Sequence, residues 1–132
     1  MNEQQNIDVI SEIYAAFGRG DVAGILARCT DDVKWTTHLD PIVPWSGDYS
    51  GKTNVTQFFD NIFSSVEVTA FEPHEWIAQN DAVVSIGAFG CTARSTGKSV
   101  RTRWIFVWKF RGAEVCSYEQ FHDEALAEAF RS

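Results

Sequence analysis

The sequence predicts an α+β domain on three observations. Apolar residues recur at helical spacing in the first half, they alternate with a period of two from Val66 onward, and short turn signals separate the alternating stretches. Helices first and strands after argue for helices laid across one face of an antiparallel sheet. The 132 residues suit a single domain, 1–132, and 45% hydrophobic with 14% aromatic content is enough to fill a core and still line a cavity.

Asn6 is the expected cap of a first helix, with Ile10, Ile13, Tyr14 and Phe17 on its apolar face and Gly18 and Gly20 stopping it. Asp21 is expected to cap a shorter helix that turns Val22, Ile25 and Leu26 inward. "DDVKWTT" reads as a strand start after an acidic turn. Thr53 is the expected cap of a third helix, whose stripe of Val55, Phe58, Phe59, Ile62 and Phe63 follows the i, i+3, i+4, i+7, i+8 pattern. Four strands follow, "VEVTAFEPHEWIA", "DAVVSIGAFGCTAR", "VRTRWIFVWKF" and "AEVCSYEQFH", joined through "QND", "STGK" and "RG" as a meander. Asp123 then caps a terminal helix, "EALAEAF".

Strand alternation predicts which side chains meet. Trp104, Phe106, Trp108 and Phe110 share one face of their strand, with Arg103, Ile105, Val107 and Lys109 on the other. The aromatic face is the expected inner one. In the next strand Cys116, Tyr118, Gln120 and His122 are expected beside it. Such a concave face of rings and polar tips either lines a ligand cavity or simply fills the core.

Charge and motifs exclude several functions. A net charge of −7 without a Lys/Arg run disfavours nucleic acid and anionic membrane surfaces as partners. The amino terminus lacks a basic segment followed by an apolar run, and no stretch approaches the roughly 20 apolar residues of a membrane span, so a cytoplasmic location is expected. Cys29, Cys91 and Cys116, without CxxC spacing, read as reduced, buried thiols. "GDYSGKT" has G-x3-GKT spacing, one residue short of a phosphate loop. His38, His74 and His122 form no HxxxH pair, so no metal is expected. No G-x-S-x-G elbow is present.

The segment "WTTHLDPIVPWSGDYSG", Trp35 to Gly51, is rich in side chains for a connection. It reads as a loop of about fifteen residues, a length usually functional or disordered, and two tryptophans and two prolines argue against disorder. In a functional reading His38 and Asp40 sit at a cavity rim, Trp45 folds over it as a lid, and a carboxylate or imidazole acts as general acid or base. Burial beside tryptophan would then raise the pKa of Asp40, and a neighbouring carboxylate that of His38. Alternatively Asp40 caps its own turn, His38 is solvated and Trp45 plugs the core. His122 is the third acid/base candidate, with Gln120 and Tyr118 as partners. Tyr14, Trp35, Trp45, Trp104, Phe106, Trp108, Tyr118 and Gln120 are the candidate substrate-binding residues.

The order of elements, "GDVAGILARCTDDVKW", "VPWSGDYSGKTNVTQFF" and "WIFVWKFRGAEVCSYEQFHDEALAEAF" together resemble the SnoaL-like, ketosteroid-isomerase-related branch of the nuclear-transport-factor-2-like superfamily. The resemblance covers nearly the whole chain. It implies a cone-shaped fold, a curved antiparallel sheet with helices over its concave face enclosing a pocket. That scaffold hosts isomerases, polyketide cyclases, dehydratases, epoxide hydrolases and binding proteins, so fold alone does not assign a reaction. Ketosteroid isomerase uses an Asp base and an oxyanion hole of Tyr and protonated Asp. In register with this chain, the oxyanion Tyr falls on Ile13, the position before Tyr14 and about 100° away around a helix. The base falls on Thr37, with Asp40 reaching that role only through an insertion, and the second donor falls on Phe106. The resemblance thus implies a cofactor-independent acid/base enzyme without those catalytic residues, acting on a small hydrophobic molecule; the alternative is a non-catalytic binding protein. A homodimer is also expected. Ile105, Val107, Val115 and Phe121 would form an exposed outer patch, and many members of the superfamily pair through that sheet face.

Overall fold

The computed structural model describes residues 2–132. Helix α1 spans Glu3–Gly18, α2 Val22–Leu26 and α3 Lys52–Ser65; strand β1 is Cys29–His38 and β2 Asp48–Ser50. The long strands β3 (Val66–Gln79), β4 (Ala82–Ala93), β5 (Ser99–Arg111) and β6 (Glu114–His122) follow, then α4 (Ala125–Glu128). One six-stranded sheet has the order β2-β1-β6-β5-β4-β3. The expected meander is present. What local pattern does not foretell is that β1 adds to it in parallel with β6, pairing Trp35 with Tyr118.

Helix starts depart from expectation at α1, α3 and α4. Asn2, not Asn6, caps α1: its side chain accepts from Gln5 N at 2.8 Å, and the Gln5 side chain accepts from Asn2 N at 2.9 Å. Asn6 is instead buried in the helix, donating to the Asn80 carbonyl at 3.4 Å. Asp21 does cap α2, accepting from Gly24 N. Ahead of α3, Gly51 occupies the cap position at φ +82°, a backbone that a glycine adopts freely, and Thr53 lies inside the first turn. Glu124 takes the cap position of α4, while Asp123 accepts from Ala125 N beside it.

The expected long loop is shorter, because residues Trp35 to His38 belong to β1 and Asp48 to Ser50 to β2. Only residues 39–47 connect them. Asp31 and Asp32 likewise stand within β1 rather than in a turn ahead of it.

Register shifts in β3, between Val68 and Ala70 and between Pro73 and Glu75, bend the sheet. Helices α1 and α3 cover its concave side. There Thr102, Trp104, Phe106, Trp108 and Phe110 of β5 are buried, while Ile105 stays 44% exposed on the convex side. A further bulge pairs Lys109 with Ser117 but Phe110 with Val115. Val115 thereby takes the inner position expected for Cys116, which is half-buried, unlike the buried Cys29 and Cys91. Among the described residues no helix is long and apolar enough to cross a membrane.

Candidate functional site

The concave side encloses one aromatic cavity. Helix α1 contributes Ile13, Tyr14 and Phe17, α3 contributes Phe58, Phe59 and Ile62, and the sheet contributes Trp35, Phe106, Trp108 and Tyr118. Edge-to-face contacts tie the wall together: Trp35 meets Trp108 at 5.4 Å, and Tyr14 meets Phe71 at 5.0 Å. The free space is about 50 Å³. That accommodates only a few water molecules, so a larger molecule requires a wall to move. Trp45, 1% exposed and packed edge-on against Phe89 and Phe130, is the cavity-lining side chain carried on the 39–47 loop.

The polar groups of the wall form two short chains. The Trp108 indole donates to the Tyr14 hydroxyl at 3.0 Å. The Trp45 indole donates to Gln120 Oε1 at 3.1 Å, and Gln120 Nε2 donates to the Tyr118 hydroxyl at 2.6 Å. The buried Trp35 indole N–H has no partner among the described residues. Burial raises the pKa of both Tyr14 and Tyr118 above the ordinary phenol value. Both hydroxyls therefore stay protonated and serve as hydrogen-bond groups rather than bases.

His122 ends β6 and lines the cavity, its ring edge-on to Phe106 and Phe89. Its Nδ1 lies 3.5 Å from Thr102 Oγ1, which donates to Asp123 Oδ1 at 2.7 Å. A hydroxyl has one proton, and the carboxylate takes it. Thr102 then offers His122 an acceptor, which favours the tautomer with the imidazole proton on Nδ1 and Nε2 as acceptor. Burial lowers the His122 pKa to about 4 against a partial opposing pull from Asp123, so the ring is neutral at pH 7.

His38 and Asp40 stand outside this cavity. Both line a neighbouring polar cleft of about 250 Å³, between the 39–47 loop and α4, of which His122 is also a wall. The parity of β1 explains His38: Thr37 takes the inner side, so His38 turns to the convex face, stacks on Phe121 at 4.3 Å and meets Glu119 at 3.2 Å. Asp40 is exposed rather than buried beside tryptophan. It accepts from Ile42 N, closing its own turn, and pairs with Arg131 at 2.9 Å. Trp104 is buried but lies behind the cavity wall, stacked on Phe106 at 4.0 Å. The remaining expected residues, Tyr14, Trp35, Trp45, Phe106, Trp108, Tyr118 and Gln120, come together around the cavity with His122.

Sequence reasoning missed Phe71 and Phe89 in the wall, and Thr102 and Asp123 as partners of His122. The signal for Thr102 was available, since period two puts it on the face of Trp104 and Phe106. Burial pushes the Cys29 and Cys91 thiols up to about 12 and about 11, which keeps them unreactive. Among the described residues no three His, Cys, Asp or Glu side chains gather in a metal-binding cluster.

The family model described as SnoaL-like domain matches residues 10–118 of the chain. The chain is similar to the crystal structure of an NTF2-like protein from Burkholderia xenovorans, with 29% identity, 99% of each chain covered and a TM-score of 0.89. An NTF2-like protein from Burkholderia thailandensis aligns over 100% of each chain at 25% identity and a TM-score of 0.88. TerC, co-crystallised with polyporic acid, aligns over 97% of this chain and 99% of its own at 25% identity and a TM-score of 0.83. No curated protein matches the chain.

Proposed function

The chain belongs to the SnoaL-like domain family, and from that premise we propose that it is a cofactor-independent acid/base enzyme of the isomerase, cyclase or dehydratase type. Its curved sheet with helices over the concave face is the cone-shaped fold of NTF2-like proteins. Its substrate is a small hydrophobic molecule bearing a carbonyl. The single observation that carries this reading is His122: a neutral imidazole at the wall of an aromatic cavity, oriented by Thr102 and Asp123, with Nε2 uncommitted among the described residues.

In this mechanism Nε2 takes a proton from a carbon or oxygen of the substrate, and the charge that develops spreads onto the carbonyl oxygen. Trp35 N–H and the Tyr118 hydroxyl supply hydrogen bonds to it. The imidazolium formed is stabilised by the nearby oxyanion and, through Thr102, by Asp123, which offsets the low basicity of the half-buried ring. Trp45 acts as the lid. The similarity to a protein co-crystallised with polyporic acid supports the reading of a small-molecule ligand.

The alternative, a binding protein, would hold a cavity whose polar groups are all paired with one another. The pairing of Trp45, Gln120 and Tyr118 favours it; the unpaired Trp35 N–H favours the enzyme. Exchange of the α-protons of 2-tetralone into D2O decides between them. The enzyme accelerates exchange saturably, and His122→Gln lowers that acceleration by roughly 10²–10⁴-fold with ligand binding kept. Saturable binding without acceleration favours the binding protein.

The protein also pairs as a homodimer through the convex face. Ile105 and Phe121 there are 44% and 37% exposed, beside a groove of about 400 Å³. A two-fold axis buries this patch and brings Arg103 of one protomer to Glu119 of its partner.

A further inference from the structure

We infer that Gln120 is a positioning residue that couples closure of Trp45 to the direction of the Tyr118 hydroxyl proton, and thereby switches on a hydrogen-bond donor for a ligand's carbonyl oxygen. The inference rests on the reading of the cavity as a ligand site.

The amide of Gln120 has one acceptor end and one donor end, and the structure commits both. Oε1 receives the Trp45 indole N–H at 3.1 Å, which fixes the amide's orientation. Nε2 must then face Tyr118, and it donates to the phenolic oxygen at 2.6 Å. The phenolic oxygen, acting as acceptor there, keeps its own proton free. That proton has no acceptor among the described residues, and Tyr118 lines the cavity. Gln120 is 3% exposed, so water does not compete for its amide.

With Trp45 withdrawn, nothing holds Oε1. The amide is then free to rotate by half a turn, and Tyr118 can donate its proton to Oε1 instead of to a ligand. Closing the lid therefore does more than exclude water: it selects the amide orientation in which Tyr118 is a donor toward the cavity. Trp45 acts through Gln120, not by touching the carbonyl.

Two probes of matched shape read this out, 2-tetralone with a carbonyl oxygen and tetralin without one, each titrated by NMR. The wild-type protein is expected to prefer 2-tetralone by about tenfold, the effect of one buried hydrogen bond. Tyr118→Phe lowers the preference severalfold, the Trp35 N–H remaining as the other donor. Trp45→Phe lowers it severalfold although the Tyr118 hydroxyl remains. In a Gln120→Met background, where no amide oxygen is left to take the Tyr118 proton, the preference stays near the wild-type value and Trp45→Phe no longer lowers it. Tetralin affinity controls for packing loss, since a merely structural role moves both probes together. Should Trp45→Phe fail to fold, Trp45→Leu takes its place in both backgrounds. Equal binding of the two probes by the wild-type protein, a preference untouched by Trp45→Phe, or one lowered equally with and without Gln120 overturns the coupling alone. Binding of neither probe overturns the ligand-site reading and the coupling with it.

Discussion

The Trp108 indole donates to the Tyr14 hydroxyl at 3.0 Å, and this bond joins α1 to the floor of the sheet in a setting closed to water. Tyr14→Phe strands the indole N–H without a partner. The expected cost is about 1–3 kcal/mol of unfolding free energy, measured by urea denaturation. Trp108→Phe added to Tyr14→Phe should cost less than the sum of the two single changes, because it removes the stranded donor.

A second expectation concerns pH. His122 has a folded-state pKa of about 4 against an ordinary 6.5, so between these values the unfolded chain binds more protons. Stability is complete above about pH 6.5 and is lost as pH falls toward 4, by up to about 3 kcal/mol. His122→Gln should flatten the wild-type slope between pH 6.5 and 4 in denaturation series. An unchanged slope in that variant means that the ring titrates normally.

Gly87 lies on β4 opposite Trp104. A Cβ at this position would overlap both the Glu72 carbonyl oxygen and the Trp104 ring. Backbone gives way poorly, so Gly87→Ala should destabilise by about 1–3 kcal/mol or more. Gly18→Ala, with open space around its Cβ, serves as the control and should be neutral or slightly stabilising. Thermal denaturation compares the two.

The convex patch predicts an oligomeric state. Light scattering at micromolar concentration should give about twice the 14.8 kDa chain mass, and Phe121→Asp with Ile105→Asp should halve it. A wild-type mass that stays at one chain on concentration removes the dimer.

Periodicity made the fold legible, because period-two stretches such as Trp104 to Phe110 separate buried from exposed residues without knowledge of their partners. The same rule brought Tyr118, Gln120 and His122 to the side of the tryptophans. It failed at Cys116, where a bulge reverses parity, and at Trp104, where burial does not mean a place at the cavity. His38 and Asp40 looked catalytic because they crowd an aromatic loop. Because β1 runs on through His38, alternation from the buried Trp35 and Thr37 sends His38 to the opposite face, and Arg131, far along the chain, claims Asp40. Thr102 and Asp123 escaped notice for a related reason: their partnership with His122 depends on tertiary contact, and each alone reads as an ordinary strand or capping residue.

Long-range ¹⁵N–¹H NMR of the His122 ring is the most direct test of its proposed part in proton transfer. The expected spectrum has the proton on Nδ1 and a bare Nε2 from pH 8 down to near 4. On addition of 2-tetralone the Nε2 resonance should move. A ring already charged at pH 6.5, a proton resident on Nε2, or an Nε2 signal indifferent to bound 2-tetralone would contradict His122 as the proton-transfer group.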